Sequence, residues 1–90
     1  MPQPSNRLSR IRDLLTEAFA PVELDITDDS QKHAGHAGAA PGGETHYTVR
    51  ITSAAFEGLS RVQTQRTIMM VLQSEFDSGL HALALHAKAA

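Results

Sequence analysis

The apolar residues of this chain fall into two rhythms. Leu8, Ile11, Leu15, Ala18 and Phe19 recur at three- and four-residue spacing, which places them on one stripe of a helix. Ser5 or Asn6 stands where a side-chain oxygen can accept the orphan N–H groups of its first turn. Pro21 stops it. Arg7, Arg10, Asp13 and Glu17 fall mostly off the stripe. From residue 22 the period shortens to two. Val22, Leu24 and Ile26 alternate with Glu23, Asp25 and Thr27, as expected of a strand with its apolar side inward. Tyr47, Val49 and Ile51 alternate with Thr48, Arg50 and Thr52 in a second strand. The two are expected to pair as an antiparallel hairpin.

Between them the pattern disappears. Residues 28–44 contain no Val, Ile, Leu, Phe or Tyr, and hold four of the six Gly. Such a stretch cannot contribute to a core, so a long mobile loop is expected over 29–44. After the second strand, Ser53 is placed to cap one short turn, Ala54–Glu57, that ends at Gly58. Ser60-Arg61-Val62-Gln63 fits a capping box, with Ser60 and Gln63 satisfying each other's backbone N–H groups. The long helix it opens carries Val62, Met69, Leu72 and Phe76 on one face, and Ile68, Met70 and Val71 widen the band. Gly79 is its expected stop.

Leu80 to Ala87 fits a helix on propensity, since Ala and Leu favour one. A strand is the better reading. Gly79 has just ended a helix, and a two-stranded hairpin needs a third strand for stability. A strand, a helical crossover and a parallel strand form the usual right-handed unit. The expected architecture is α+β, in the order αββααβ, with a three-stranded mixed sheet and helices on one face. Residues 1–5 read as a disordered lead, and 6–90 as a single domain.

Composition narrows the chemistry. Ninety residues, 41% of them hydrophobic, suffice for one small core. The chain has no Cys, so it has no disulfide, no thiol nucleophile and no thiolate for a metal. It has five His, so any metal is met through imidazole or carboxylate. The net charge of -2 disfavours a dedicated nucleic-acid binder, whose affinity rests on neutralising phosphates. No apolar run approaches the ~20 residues of a membrane span, and Met1 to Asn6 lacks the apolar middle of a secretory signal. The chain is expected to be cytoplasmic, without membrane contact. No catalytic triad, phosphate loop or carboxylate pair is evident, so it reads as a non-enzyme.

The histidines differ in context. His33 and His36 lie in the Gly-rich loop, where on residues alone they read as solvated side chains. Two imidazoles are too few for a structural zinc site. His81 shares parity with Leu83 and Leu85, which places it at the mouth of the core. His46 alternates outward from Tyr47, either assisting a site or covering the sheet surface, and the surface role is preferred. His86 has no assigned role.

Taken together, the motifs resemble the BolA family over roughly residues 8–88. The likeness rests on Phe19-Ala20-Pro21, Asp28-Asp29-Ser30, His33 to Gly38, and Gly43-Glu44-Thr45-His46-Tyr47. It continues through Ser53, Phe56-Glu57-Gly58, Arg66, Glu75 and His81-Ala82-Leu83. Each motif is weak alone, but their order and spacing are specific. The resemblance implies a fold similar to the type II KH domain, and it makes the last segment a strand. Two departures stand out. The chain has Thr64-Gln65-Arg66 where the family usually shows Arg-His-Arg, and it ends at Ala90 where relatives often continue.

The family's His before Ala-Leu is a cluster ligand in complexes with monothiol glutaredoxins, and His81 matches that position. The implied role is an adaptor in iron–sulfur cluster assembly, trafficking or iron and redox sensing. Its [2Fe–2S] cluster would be shared with a monothiol glutaredoxin and glutathione, which supply the thiolates. This chain would give His81 and one loop imidazole, either His33 or His36. Gly35 and Gly38 around His36 favour it slightly, because they allow close backbone approach. Ligation requires neutral imidazole, so assembly is expected to weaken in acid. The alternative is a transcription regulator of stress response and cell morphology. It would bind duplex DNA through Arg61, Arg66 and Arg50. A plain interaction module is the third reading.

Overall fold

A computed structural model describes residues 6–29 and 46–90. The described elements run α1 (Arg7–Phe19), β1 (Glu23–Asp28), β2 (His46–Ser53), a 3-10 turn (Ala54–Phe56), α2 (Arg61–Val71), α3 (Gln73–Asp77) and β3 (Ala82–Ala89). Their order agrees with the αββααβ expectation.

Local chemistry accounts for most boundaries. The Asn6 side chain accepts the Ser9 N–H at 2.8 Å and opens α1. Ala20 closes it in the left-handed region at φ 43, just before Pro21. Ser53 has no exposed surface. Its hydroxyl donates to the Phe19 carbonyl at 2.6 Å and accepts the Ala55 N–H at 3.0 Å. One side chain thus starts the 3-10 turn and ties it to the end of α1. The capping box forms as the sequence predicts. Ser60 Oγ accepts the Gln63 N–H at 3.1 Å, and the Gln63 side chain accepts the Ser60 N–H at 2.8 Å.

The sheet order is β1-β2-β3, mixed in sense. β1 pairs antiparallel to β2, with Leu24 opposite Ile51 and Ile26 opposite Val49. β3 pairs parallel to β2, with Tyr47 opposite Leu83 and Val49 opposite Leu85. Tyr47, Val49 and Ile51 face inward and are buried with Ile11, Leu15, Phe19, Phe56, Ile68, Leu72 and Leu80. Leu24, Ile26, Leu83 and Leu85 pack against that core half-buried. Each fully buried aliphatic side chain contributes about 1.5–3 kcal/mol relative to exposure. On β3, Ala82, Ala84, His86 and Lys88 face solvent.

Several details differ from the sequence reading. Val22 pairs through its N–H with the Thr52 carbonyl at 2.9 Å, yet its side chain is 68% exposed. The long helix divides at Leu72, whose φ of -95 and ψ of 8 separate α2 from α3. The buried line of α2 runs Thr64, Ile68 and then Leu72, while Val62 is 58% exposed. Thr64 tolerates burial because its hydroxyl donates to the Ser60 carbonyl at 3.0 Å. Finally, Arg7, which lies off the apolar stripe in sequence, is only 8% exposed.

Candidate functional site

The start of β3 gathers the polar side chains of most interest. β2 begins at His46, which stands in register with Ala82, the first residue of β3. His81 comes one residue earlier. The alternation pointed it toward the core beside Leu83 and Leu85. Instead it is exposed, having left the strand period before β3 begins. Its ring turns to His46, with centroids 5.3 Å apart and planes tilted by 49°. His46 points outward as the alternation requires, and it is half-buried there. The structure therefore joins two imidazoles that the sequence treats separately. The signal for the pair was cross-strand register, which needs the parallel pairing of β2 and β3 to be known.

The same end of the sheet holds both ends of the intervening segment. The chain leaves the described structure after Asp29 and re-enters it at His46. The Asp29 N–H donates to the His46 carbonyl at 2.7 Å, and the Thr48 hydroxyl donates to the Asp29 carboxylate. The chain therefore departs and returns beside the imidazole pair. His33 and His36, along with the loop expected over 29–44, fall within 30–45 and so lie outside the described residues beyond Asp29. Among the described residues no three His, Asp or Glu side chains group closely enough to enclose a metal ion. What the described residues offer is an exposed imidazole with a second beside it. With no Cys in the chain, imidazole and carboxylate are the metal-ligating side chains it has, and two imidazoles by themselves do not complete a metal's coordination sphere.

Behind His81 lies a different cluster, which the sequence did not reveal. Arg7 reaches from the first turn of α1 to Glu75 on α3, with Nη1 at 2.9 Å from Oε1. Arg10 Nε meets Oε2 of the same carboxylate at 3.0 Å. Glu75 is only 4% exposed. Both oxygens of this buried anion are thus matched by guanidinium groups, which is the condition for tolerating its desolvation. Arg7 and Glu75 are 68 residues apart, beyond the reach of any local pattern.

The three arginines expected to meet nucleic acid are all exposed. Arg61 and Arg66 are exposed on α2. Arg50 is exposed on the sheet, in register with Asp25 on one side and His86 on the other. Arg50 and Arg61 line one open depression between sheet and α2, and Arg66 lies outside it. Among the described residues no helix is long and apolar enough to cross a membrane.

Comparison with known proteins gives a consistent outcome. The sequence profile of the BolA-like protein family matches residues 15–90. The protein BOLA1, chloroplastic, of Arabidopsis thaliana is 46% identical over 85 residues, covering 92% of this chain and 53% of the relative. SufE-like protein 1, chloroplastic/mitochondrial, of the same plant is 48% identical over 87 residues, covering 92% of this chain and 24% of the relative. The chain thus spans about half of one relative and a quarter of the other. Among solved structures, BolA1 from Arabidopsis thaliana superposes with a TM-score of 0.86 at 44% identity, covering 97% of this chain and 95% of that one. The BolA domain of SufE1 from the same plant gives 0.84 at 46% identity, with 97% and 95% covered.

Proposed function

The chain belongs to the BolA-like protein family, and on that premise we propose that it works as a binding adaptor rather than an enzyme. Its partner is a monothiol glutaredoxin, and together they hold one [2Fe–2S] cluster for assembly, delivery or sensing. The thiolates come from the glutaredoxin and from glutathione. This chain contributes the His81 imidazole and one imidazole from His33 or His36. A cluster held by His81 and one loop imidazole would supply electron-transfer chemistry, at a potential raised by imidazole in place of thiolate.

One observation carries the reading. His81 is exposed at the start of β3, its ring is beside His46, and both ends of the His33- and His36-bearing segment attach at that same place. An imidazole that ligates must present a free nitrogen lone pair to solvent, and it is held best when a neighbour restricts its rotation. His46 supplies that restriction from the adjacent strand. Half of a site, open to a partner, is what a Cys-free chain can offer.

The test is coexpression with a monothiol glutaredoxin under iron-replete conditions with glutathione. Visible absorption and circular dichroism of the purified complex are then recorded. The expected result is a cluster-bearing heterocomplex whose spectrum collapses in His81→Ala. A His81→Ala complex spectrally identical to wild type overturns the ligand assignment, and failure to form any complex overturns the partner.

A further inference from the structure

We propose that Arg7 is a positioning residue for His81, acting through the turn from which β3 starts. This deepens the reading above and rests on it for the importance of His81. His81 is exposed, and its ring contact is with His46. The position of its backbone sets whether the ring reaches that neighbour, so whatever holds residues 78–80 decides whether the imidazole stays beside His46.

Arg7 holds that turn directly. Its Nη1 donates to the Glu75 carboxylate at 2.9 Å, the Glu75 carbonyl at 3.0 Å and the Ser78 hydroxyl at 2.9 Å. Nη2 donates to the Ser78 carbonyl at 3.2 Å. The Glu75 carbonyl also accepts the Leu80 N–H at 2.8 Å, and Leu80 is buried at 4% exposure. One carbonyl thus links the guanidinium to the residue before His81. Gly79 completes the arrangement. Its φ of +132 disfavours any side chain, and a Cβ there would lie 2.9 Å from Arg7 Nη2. The guanidinium's Nη2 therefore lies close beside Gly79, where a larger residue would displace it.

A charged pair is an unusual choice for attaching α1 to α3. Burying ions is costly, and apolar side chains of similar volume hold two helices at least as well. What apolar side chains cannot do is bind the carbonyls of a turn. The planar guanidinium fork presents several donors at fixed angles, and here these four hydrogen bonds all go to the two residues, Glu75 and Ser78, that close α3 onto β3, two of them to backbone carbonyls. Geometry is what the pair adds.

The proposal is tested on the apo chain by NMR, so its outcome is independent of glutaredoxin binding. Arg7→Lys keeps the charge but loses the fork, and Gly79→Ala pushes the guanidinium away from the other side. Ile26→Val, on β1 and away from the turn, is the control for general loosening. Both turn variants should lose most of the nuclear Overhauser intensity between the His46 and His81 rings. Amide order at residues 79–81 should fall, while the Val49 and Ile51 signals stay in place. Ile26→Val should leave the ring contact intact. In the glutaredoxin complex, the turn variants should shorten cluster lifetime about 10-fold, the scale for a lost outer-sphere support. If the ring contact survives in both turn variants, or weakens equally in Ile26→Val, Arg7 is merely structural and the proposal fails. Should Arg7→Lys not fold, Arg7→Gln, read by the same ring contact, decides, because Gly79→Ala also strains the backbone directly.

Discussion

Two polar clusters flank the start of β3, and they are built on opposite principles. Behind the strand, Glu75 is buried with both carboxylate oxygens paired to Arg7 and Arg10. In front of it, His81 stands exposed with its ring beside His46. In the first cluster the buried carboxylate has both oxygens matched within the chain. In the second the His81 ring is exposed at the surface. A buried, paired network fixes geometry at a cost in desolvation, whereas an exposed ring contributes little to stability.

The largest test of that division is Glu75→Ala. It leaves the buried Arg7 guanidinium, and the partly exposed one of Arg10, without their carboxylate, and should lower unfolding stability by about 3–5 kcal/mol in urea denaturation. A loss under ~1 kcal/mol would show that the cluster is not holding the fold. Arg10→Ala should cost less, about 1 kcal/mol, because the Arg10 side chain is 36% exposed and solvent can replace part of the interaction. Equal effects at Arg10 and Glu75 would blur the contrast inside the cluster itself.

On the open side the order of effects should invert. His46→Ala should change stability by less than about 0.5 kcal/mol in the same denaturation experiment. In the glutaredoxin complex it should shorten cluster lifetime roughly 10-fold, read by the decay of visible absorbance. His81→Ala should alter stability least of all, again within about 0.5 kcal/mol, and yet remove the cluster spectrum. A His81 variant that is markedly unstable would mean that the open cluster is also structural.

The sequence made several features legible through short-range physics. The alternation of residues 47–52 marked β2, because a strand with one buried face repeats every second residue. Ser60 and Gln63 marked the start of α2 because the capping box closes within one turn. Gly79 marked the end of the helical stretch because its φ is one that other residues avoid. His81 was picked out by its place before Ala82-Leu83 in a family pattern. Thr64 was missed because its burial depends on a bond to the Ser60 carbonyl, which turns a polar residue into a core one. Val62 was assigned inward because its apolar character gives no sign of which side of α2 meets the sheet.

The sequence by itself settled the order of elements before β3, the capping box at Ser60, the stop at Gly79, and the absence of any thiolate from the chain. Each depends on contacts a few residues apart or on composition. Only the tertiary structure decided that Arg7 and Glu75 share a buried ion pair and that His46 and His81 face each other. The first joins residues 68 positions apart, and the second depends on the parallel register of His46 with Ala82. The physical reason is the same for both. Hydrophobic periodicity tells which side of an element is buried, but not which distant side chain meets it there. Partners across the fold are set by how α1, α3 and the strands pack, and His46 and His81 come side by side only once that packing has placed them.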